Sequence, residues 1–233
     1  MKKLIIALLS VLLISCSGNS SPEFVSKLKC PYDIVLLGDS TFNQFGDRLK
    51  GLTCGNVTNY GLDAQNSGHL ISGEYSKVGK YSDFITTVPK GSLVIVNFGI
   101  NDAFAQLSPT DFKNNINYFG DLATKNGLIF AIQTPNEVLI PTNEVLSRYV
   151  ALEKTLGYPI IDIFYDIKTN LRIEYKPIIK SRFPGLSEHE LNVKINQVVD
   201  DYYREQLKND GFHPTSEIYD KWVKVIIDSI GKI

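Results

Sequence analysis

Three stretches dominated by apolar residues constrain the fold of this chain more than any other feature of its sequence. They cover residues 33–37, 92–98 and 128–133, and polar side chains hardly alternate with the apolar ones. This pattern is typical of strands that are buried on both faces of a parallel sheet. Residues 57–60 and 160–164 are weaker candidates for two more strands.

Segments with helical periodicity separate these strands along the chain. The predicted helices cover residues 81–88, 108–125, 142–156, much of 165–209, and 216–230. Gly127 and Gly157 lie where glycine commonly ends a helix. The alternation of strands and helices favours a doubly wound α/β sheet. We see no internal repeat and expect a single domain over residues 31–233.

The charge balance of the chain bears on its partners. The sequence holds 24 Lys and Arg against 25 Asp and Glu, a formal net charge of −1. A protein that binds a polyanion normally carries a dense basic patch. The sequence shows no such basic stripe, so we expect no nucleic-acid partner.

The first residues have the pattern of an export signal. Met1-Lys2-Lys3 is basic, residues 4–14 are apolar, and Ser15-Cys16 follows. The apolar run is about half as long as a stable membrane-spanning helix requires. Residues 1–15 are therefore predicted to be a signal peptide. An ordinary secretory peptide that happens to end near a cysteine is the alternative.

The end of this segment, Leu13-Ile14-Ser15-Cys16, resembles the lipobox of bacterial lipoproteins. The resemblance implies cleavage before Cys16, acylation of its thiol, and attachment to the membrane through the lipid. Two or three acyl chains hold a soluble domain at a membrane, whereas one chain is marginal. We therefore expect residues 16–30 to be a lipid-anchored tether in the cell envelope. The domain would face the periplasm or the exterior from the outer membrane or the cell membrane.

Four short motifs lie next to predicted strands or helices. Three of them follow strands, and open α/β sheets bind ligands at that end of the strands. They are Gly38-Asp39-Ser40, Gly61, Gly99-Ile100-Asn101-Asp102 and, before the last helix, Asp210-Gly211-Phe212-His213. A carboxylate three residues before a histidine can reach the ring N–H and fix its tautomer. Each motif alone is also compatible with a turn or a helix cap.

Together and in this order, the four motifs resemble those of the SGNH hydrolases, the GDSL esterases and lipases. The resemblance covers about residue 33 to the end of the chain. It implies an α/β fold of three layers, α/β/α and flavodoxin-like. The implied sheet is mainly parallel and five-stranded, with strand order 2-1-3-4-5.

The resemblance also implies roles for individual residues. It makes Ser40 the nucleophile, His213 the general base and Asp210 the group that orients the base. The oxyanion-hole donors become Ser40, Gly61 and Asn101. The residues after Gly61, Leu62-Asp63-Ala64-Gln65, depart from the continuation that is common in the family.

The implied activity is that of a serine esterase. It would remove an acyl group, such as acetyl, from a small-molecule or glycan ester through an acyl-serine intermediate, with no metal and no other cofactor. The α/β-hydrolase motif Gly-x-Ser-x-Gly does not fit, because Phe42 stands in place of the second glycine. An inactive SGNH-fold binding lipoprotein, and a lipase or thioesterase for longer acyl chains, are the alternatives. We expect a monomer.

Three further features have less specific interpretations. His69 and His189 lack the spacing of metal ligands. We expect His189 to be exposed at a helix start, and His69 to lie in a surface loop or to line the substrate site. Residues 133–136 follow the fourth strand and are predicted to lie at the rim of that site.

The two remaining cysteines predict a disulfide. Once Cys16 is assigned to the lipid, Cys30 and Cys54 remain in a compartment where pairing is permitted. Each precedes a candidate strand by three residues. If the first two strands are neighbours, as the family order implies, the two cysteines enter the sheet side by side. Two buried free thiols are the alternative.

Overall fold

The structure is a computed structural model that describes residues 32–53, 55–74, 76–138, 143–207 and 210–233. The signal peptide, the lipidated Cys16 and the Cys30–Cys54 disulfide lie outside these residues, so they stay predictions. Within the described residues, no helix is both long and apolar enough to cross a membrane.

One sheet of five parallel strands forms the centre of the molecule. The strands are β1 (Ile34–Gly38), β2 (Val57–Asn59), β3 (Leu93–Asn97), β4 (Ile129–Gln133) and β5 (Ile160–Ile161). Their order across the sheet is β2-β1-β3-β4-β5, which confirms the predicted order. Ile34 of β1 lies opposite Val57 on one side and Leu93 on the other. The carboxyl ends of all five strands therefore lie at the same edge of the sheet.

The apolar runs are continuous because both faces of the sheet are covered. All residues of β1 and β3 are buried. Ile34 and Leu36 of β1 pack into the core on one face of the sheet. Val35 and Leu37 pack into a second core on the other face. This arrangement confirms the prediction of strands buried on both faces.

Helices form a layer on each face. They are α1 (Ser40–Phe45), α2 (His69–Ser72), α3 (Tyr81–Phe84), α4 (Ile100–Phe104), α5 (Pro109–Lys125), α6 (Asn143–Glu153), α7 (Ile163–Arg182), α8 (Glu188–Glu205) and α9 (Ser216–Ile230). Helices α1, α7, α8 and α9 contribute to one core, and α2 to α6 contribute to the other. The result is the expected three-layer α/β/α fold.

The C-terminal helix anchors the core on the α1 side. Trp222 of α9 is fully buried. Its ring lies 5.2 Å from the ring of Phe45 in α1 and 5.1 Å from that of Tyr219. These contacts hold α9 against the helix that directly follows β1.

Several predicted helix boundaries agree with the structure for identifiable reasons. The side chain of Ser108 accepts a hydrogen bond from the Asp111 N–H, and Pro109 is the first residue of α5. Both features favour a helix start. Gly127 and Gly157 each have a φ of +79°, as a glycine that follows a helix often has.

The predicted strand over residues 160–164 is wrong in its second half. β5 contains only Ile160 and Ile161. Asp162 then accepts a hydrogen bond from the Tyr165 N–H and begins α7 at Ile163. An apolar run that contains a good N-cap residue can therefore be a strand and a helix start in succession.

Candidate active site

Ser40 lies at the carboxyl edge of the sheet because it follows β1 after a single residue. It is the first residue of α1, and the helix is capped by Asp39, whose Oδ1 accepts the Thr41 N–H at 2.8 Å. The capping function therefore belongs to Asp39 and not to Ser40. Ser40 itself is half-buried, and its hydroxyl is not used for capping.

Three of the predicted residues meet in one chain of hydrogen bonds. The Oγ of Ser40 lies 2.7 Å from Nε2 of His213. The Nδ1 of the same ring lies 2.8 Å from Oδ2 of Asp210. A hydroxyl, an imidazole and a carboxylate in this sequence of contacts form the arrangement that activates a serine for nucleophilic attack.

The second carboxylate oxygen of Asp210 fixes the turn that carries the histidine. It accepts the backbone N–H groups of Phe212 at 3.0 Å and of His213 at 2.9 Å. Burial opposes ionisation of Asp210, but these two hydrogen bonds and the one from the His213 ring outweigh it. They hold the pKa of Asp210 below its ordinary value. The acid is therefore ionised and correctly placed for the imidazole.

Contacts from the rest of the fold hold this turn in place. Leu207 and Pro214 form an isolated antiparallel bridge across it. On its other side, Asn136 Nδ2 donates to the Phe212 carbonyl at 2.8 Å. Asn136 is fully buried beyond β4. The position of His213 is thus determined by α8, α9 and the loop after β4 together.

Asp39, the residue before Ser40, is buried. Burial raises its pKa to about 7, although the hydrogen bonds with Thr41 oppose the rise. The negative charges of Asp102 and Asp63 raise it further. Among the described residues its Oδ2 has no hydrogen-bond partner. Asp39 is therefore a helix cap whose charge is costly to bury.

Asn101 lies in the first turn of α4, on the β3 side of Ser40. Its Nδ2 donates to the carbonyl oxygen of Gln65 at 2.8 Å. The neighbouring Asp102 is buried and accepts the backbone N–H groups of Ser67 at 2.9 Å and Gly99 at 3.0 Å. Helix α4 and the loop after β2 are therefore fastened to each other.

Gly61 has its backbone N–H engaged within the protein. This N–H donates to Oδ1 of Asn59 at 2.9 Å. A Cβ atom at position 61 would lie 2.6 Å from Cβ of Phe42 and 2.5 Å from the Asn43 nitrogen. The close approach of α1 therefore explains the glycine, and its N–H does not point to an open site in this structure.

The remaining predicted residues differ in their placement. His189 is exposed in the first turn of α8, as expected. His69 begins α2, is half-buried, and accepts the Asn66 N–H at 3.1 Å through Nδ1. Gln133 and Thr134 are fully buried. The Thr134 hydroxyl supports a neighbouring segment, because its Oγ1 accepts the Phe164 N–H at 2.9 Å.

The structure draws attention to two features that sequence reasoning missed. Ala64 has a φ of +62°, which is unusual for a residue other than glycine. Phe104 is 49% exposed at the end of α4, and its ring lies 5.8 Å from that of Phe212. No sequence signal marks Ala64. Phe104 could have been noticed because it lies three residues after Asn101.

Comparisons with known proteins agree with this geometry. The GDSL-like Lipase/Acylhydrolase family matches residues 34–226. A search of curated proteins finds no match. Among solved structures, this chain is similar to Axe2, an acetylxylan esterase from Geobacillus stearothermophilus, with a TM-score of 0.61 and 14% sequence identity. The match covers 88% of this chain and 96% of that one.

A second solved structure, a member of the lipolytic G-D-S-L family from Veillonella parvula, gives a TM-score of 0.56 and 14% identity. The match covers 84% of this chain and 97% of that one. At these identities the solved structures establish the fold, and the match over residues 34–226 establishes the family. The chain is therefore a member of the SGNH hydrolases, the GDSL lipase and acylhydrolase family of serine ester hydrolases.

Proposed function

We propose that this protein hydrolyses esters of short acyl groups, such as acetyl, through an acyl-serine intermediate. One observation carries the proposal: Ser40 Oγ, both ring nitrogens of His213 and Asp210 Oδ2 form a continuous chain with contacts of 2.7 and 2.8 Å. The reaction needs these three groups at contact distance before substrate arrives.

The steps follow from the contacts. As Ser40 Oγ attacks the carbonyl carbon, its proton passes to His213 Nε2. The protonated ring then gives that proton to the leaving alcohol, and the acyl group stays on Ser40. Water repeats the sequence, so that the carboxylic acid leaves and Ser40 regains its proton. Asp210 stays ionised and stabilises the protonated ring.

The structure indicates where the alcohol part of the ester would lie. His213 Nε2 must reach the leaving oxygen, so the alcohol lies beside the histidine ring. The ring of Phe212 is 4.3 Å from that of His213, and the half-exposed Phe104 packs edge-on against Phe212. An alcohol with an apolar face, such as a sugar ring, would contact Phe104.

We expect Phe104→Ala to raise KM for an acetylated xylo-oligosaccharide about tenfold, the loss expected for one aromatic contact. The contact is the same in ground state and transition state, so kcat should change by less than about twofold. Steady-state kinetics measure both. Tyr118→Ala is the matched control, since Tyr118 is 53% exposed on α5. An unchanged KM in Phe104→Ala would place the sugar elsewhere.

The activity itself is tested with the purified protein and p-nitrophenyl acetate, butyrate and octanoate, followed by O-acetylated xylan. The name of the Geobacillus neighbour makes xylan the first glycan to test. We expect turnover that is fastest on acetate. A preference for octanoate would favour a lipase or thioesterase, and absence of turnover on every ester would contradict the proposal.

The proposal includes attachment to the cell envelope through lipid on Cys16. Its support is the sequence Leu13-Ile14-Ser15-Cys16 after a basic and apolar start. We expect Cys16→Ser to move the protein from the detergent phase to the aqueous phase of a Triton X-114 partition, or to leave it unprocessed. The lipid holds the protein at the membrane. A processed mutant that still partitions into detergent would contradict lipid attachment.

A further inference from the structure

The outer half of the hairpin formed by α7 and α8, residues 172–194, has no part in the site described above. Lys168 of α7 donates to Asp200 of α8 at 2.8 Å. One turn later in α7, Arg172 donates to Asn196, which lies one turn earlier in α8. The two helices are therefore antiparallel. Helix α7 begins beside the segment that follows β4, at the carboxyl edge of the sheet. Its 20 residues span about 30 Å, so the turn of the hairpin lies far from that start.

The outer half of the hairpin exposes apolar side chains to solvent. All of its residues are described, and only Tyr175, Ile179 and Leu191 among them are buried. Of the eight large apolar side chains that are exposed in the described residues, four lie here: Ile173, Ile178, Phe183 and Val193. Exposed apolar side chains grouped in this way commonly mark a surface that meets a membrane or another protein.

The charges of the outer half are predominantly basic. It carries five Lys and Arg against three Glu, in a chain whose formal net charge is −1. Glu174 pairs with Lys221 of α9 at 2.9 Å. Glu188 pairs with Lys176 at 2.6 Å, and the third carboxylate belongs to the cap of α8. Three of the cations form no ion pair with any described residue: Lys180, Arg182 and Lys194.

Phe183 lies at the turn of the hairpin, close to two of these cations. Its side chain is 40% exposed, and Lys194 Nζ lies 5.9 Å from the centre of its ring. Arg182 precedes it and Pro184-Gly185 follows it, and all three are exposed. An aromatic ring flanked by cations suits an anionic lipid surface, because the ring can enter the headgroup region while the cations bind phosphate groups.

The proposed lipid anchor would bring this surface to a membrane. Residues 17–31 join Cys16 to Tyr32, the first described residue. Even a fully extended chain of this length spans at most about 55 Å. The anchor would therefore hold the domain near the lipid surface, where the effective concentration of lipid makes even a weak contact of the hairpin populated.

We propose that the outer half of the hairpin docks on the anionic phospholipid surface to which the lipid anchor attaches the protein. Phe183 enters the headgroup region, and Lys180, Arg182 and Lys194 lie against lipid phosphates. The inference rests on the proposed attachment through Cys16. It also sets an orientation, because the catalytic edge of the sheet then lies about 30 Å along α7 from the membrane contact.

The contact is measured with the Phe183→Trp variant of the processed, lipidated protein, reconstituted in vesicles of phosphatidylcholine and phosphatidylglycerol. Brominated acyl chains quench only a tryptophan that reaches the lipid, so we expect them to lower the emission of the added tryptophan about twofold. The natural Trp222 is fully buried, so the emission of the parent protein should hardly change. Tyr118→Trp is the matched control, since Tyr118 is 53% exposed on α5. Equal quenching of the two added tryptophans would overturn the proposal.

The charges are tested by adding Lys180→Glu/Arg182→Glu to the Phe183→Trp variant. We expect quenching to fall to the level of the Tyr118→Trp control, because the charge variant is repelled by anionic lipid. Vesicles of phosphatidylcholine alone should have the same effect on the Phe183→Trp variant. Turnover of p-nitrophenyl acetate should stay within about twofold of the parent value, which shows that the variant is folded. Undiminished quenching in the charge variant would contradict the proposal.

Two further readouts separate this proposal from its alternatives. If Triton X-114 partition shows no lipid, attachment through Cys16 is wrong, and sedimentation with phosphatidylglycerol vesicles then tests the hairpin alone. Cosedimentation that Lys180→Glu/Arg182→Glu abolishes supports the hairpin contact, and no cosedimentation of the parent overturns it. Sedimentation equilibrium in detergent tests for self-association. A dimer that Phe183→Ala dissociates would assign this surface to a second copy of the chain and overturn the membrane contact.

Discussion

Replacing Ser40 by alanine is expected to lower kcat/KM on p-nitrophenyl acetate by about four orders of magnitude or more, the loss typical for removal of a nucleophile. The variant keeps Asn101, Asp210 and His213 but has no oxygen that can form the acyl intermediate. Any rate that remains reflects binding and stabilisation of charge alone. Initial rates with the purified variant measure the effect.

The same substitution should leave the fold intact. Asp39, and not Ser40, caps α1, and the Ser40 hydroxyl forms its hydrogen bond with His213. We expect the melting temperature to change by less than about 2 °C. Ser147→Ala is the matched control, since the Ser147 hydroxyl donates to the Glu144 carbonyl of its own helix. An unfolded Ser40→Ala protein would show that the hydroxyl is structural.

Replacing His213 by alanine is expected to cost activity to a similar degree. Without Nε2, nothing at 2.7 Å accepts the Ser40 proton or returns a proton to the leaving alcohol. Nucleophile and base act as one unit, so their losses do not add. The double variant Ser40→Ala/His213→Ala should therefore be slower than either single variant by less than about threefold.

The double variant makes this prediction specific. If the fold-loss of kcat/KM in the double variant equals the product of the fold-losses in the two single variants, Ser40 and His213 act independently and the proposed proton transfer is wrong. His189→Ala is the matched control, because His189 is exposed in α8. It should keep the activity of the parent.

Sequence patterns were sufficient where local physics determines the structure. Apolar runs predicted the buried strands, because a strand covered on both faces has no position for a polar side chain. The spacing of Asp210 and His213 predicted a contact inside one turn, and the structure has it at 2.8 Å. Ser40 could be placed at the carboxyl edge of the sheet, because a residue that closely follows a strand of a parallel sheet lies at that edge.

Sequence patterns failed where contacts between distant segments determine the backbone. Ala64 adopts a positive φ that its own chemistry disfavours, and the residues on either side of it are hydrogen-bonded to β1 and α4. Glycine is the residue that sequence reasoning associates with such a position, and Gly61 stands nearby. The start of α7 was missed for a simpler reason, since the capping residue Asp162 lies inside an apolar run.

The two contacts of His213 differ in how far they reach along the chain. Its acid partner is three residues away, whereas its nucleophile is 173 residues away. Local opening that separates the C-terminal segment from β1 would break the long-range contact first and leave the ring oriented by Asp210. Esterase activity therefore requires that the C-terminal segment stays in contact with the end of β1. The orientation of the imidazole is a property of one short turn, which a partly unfolded chain can retain.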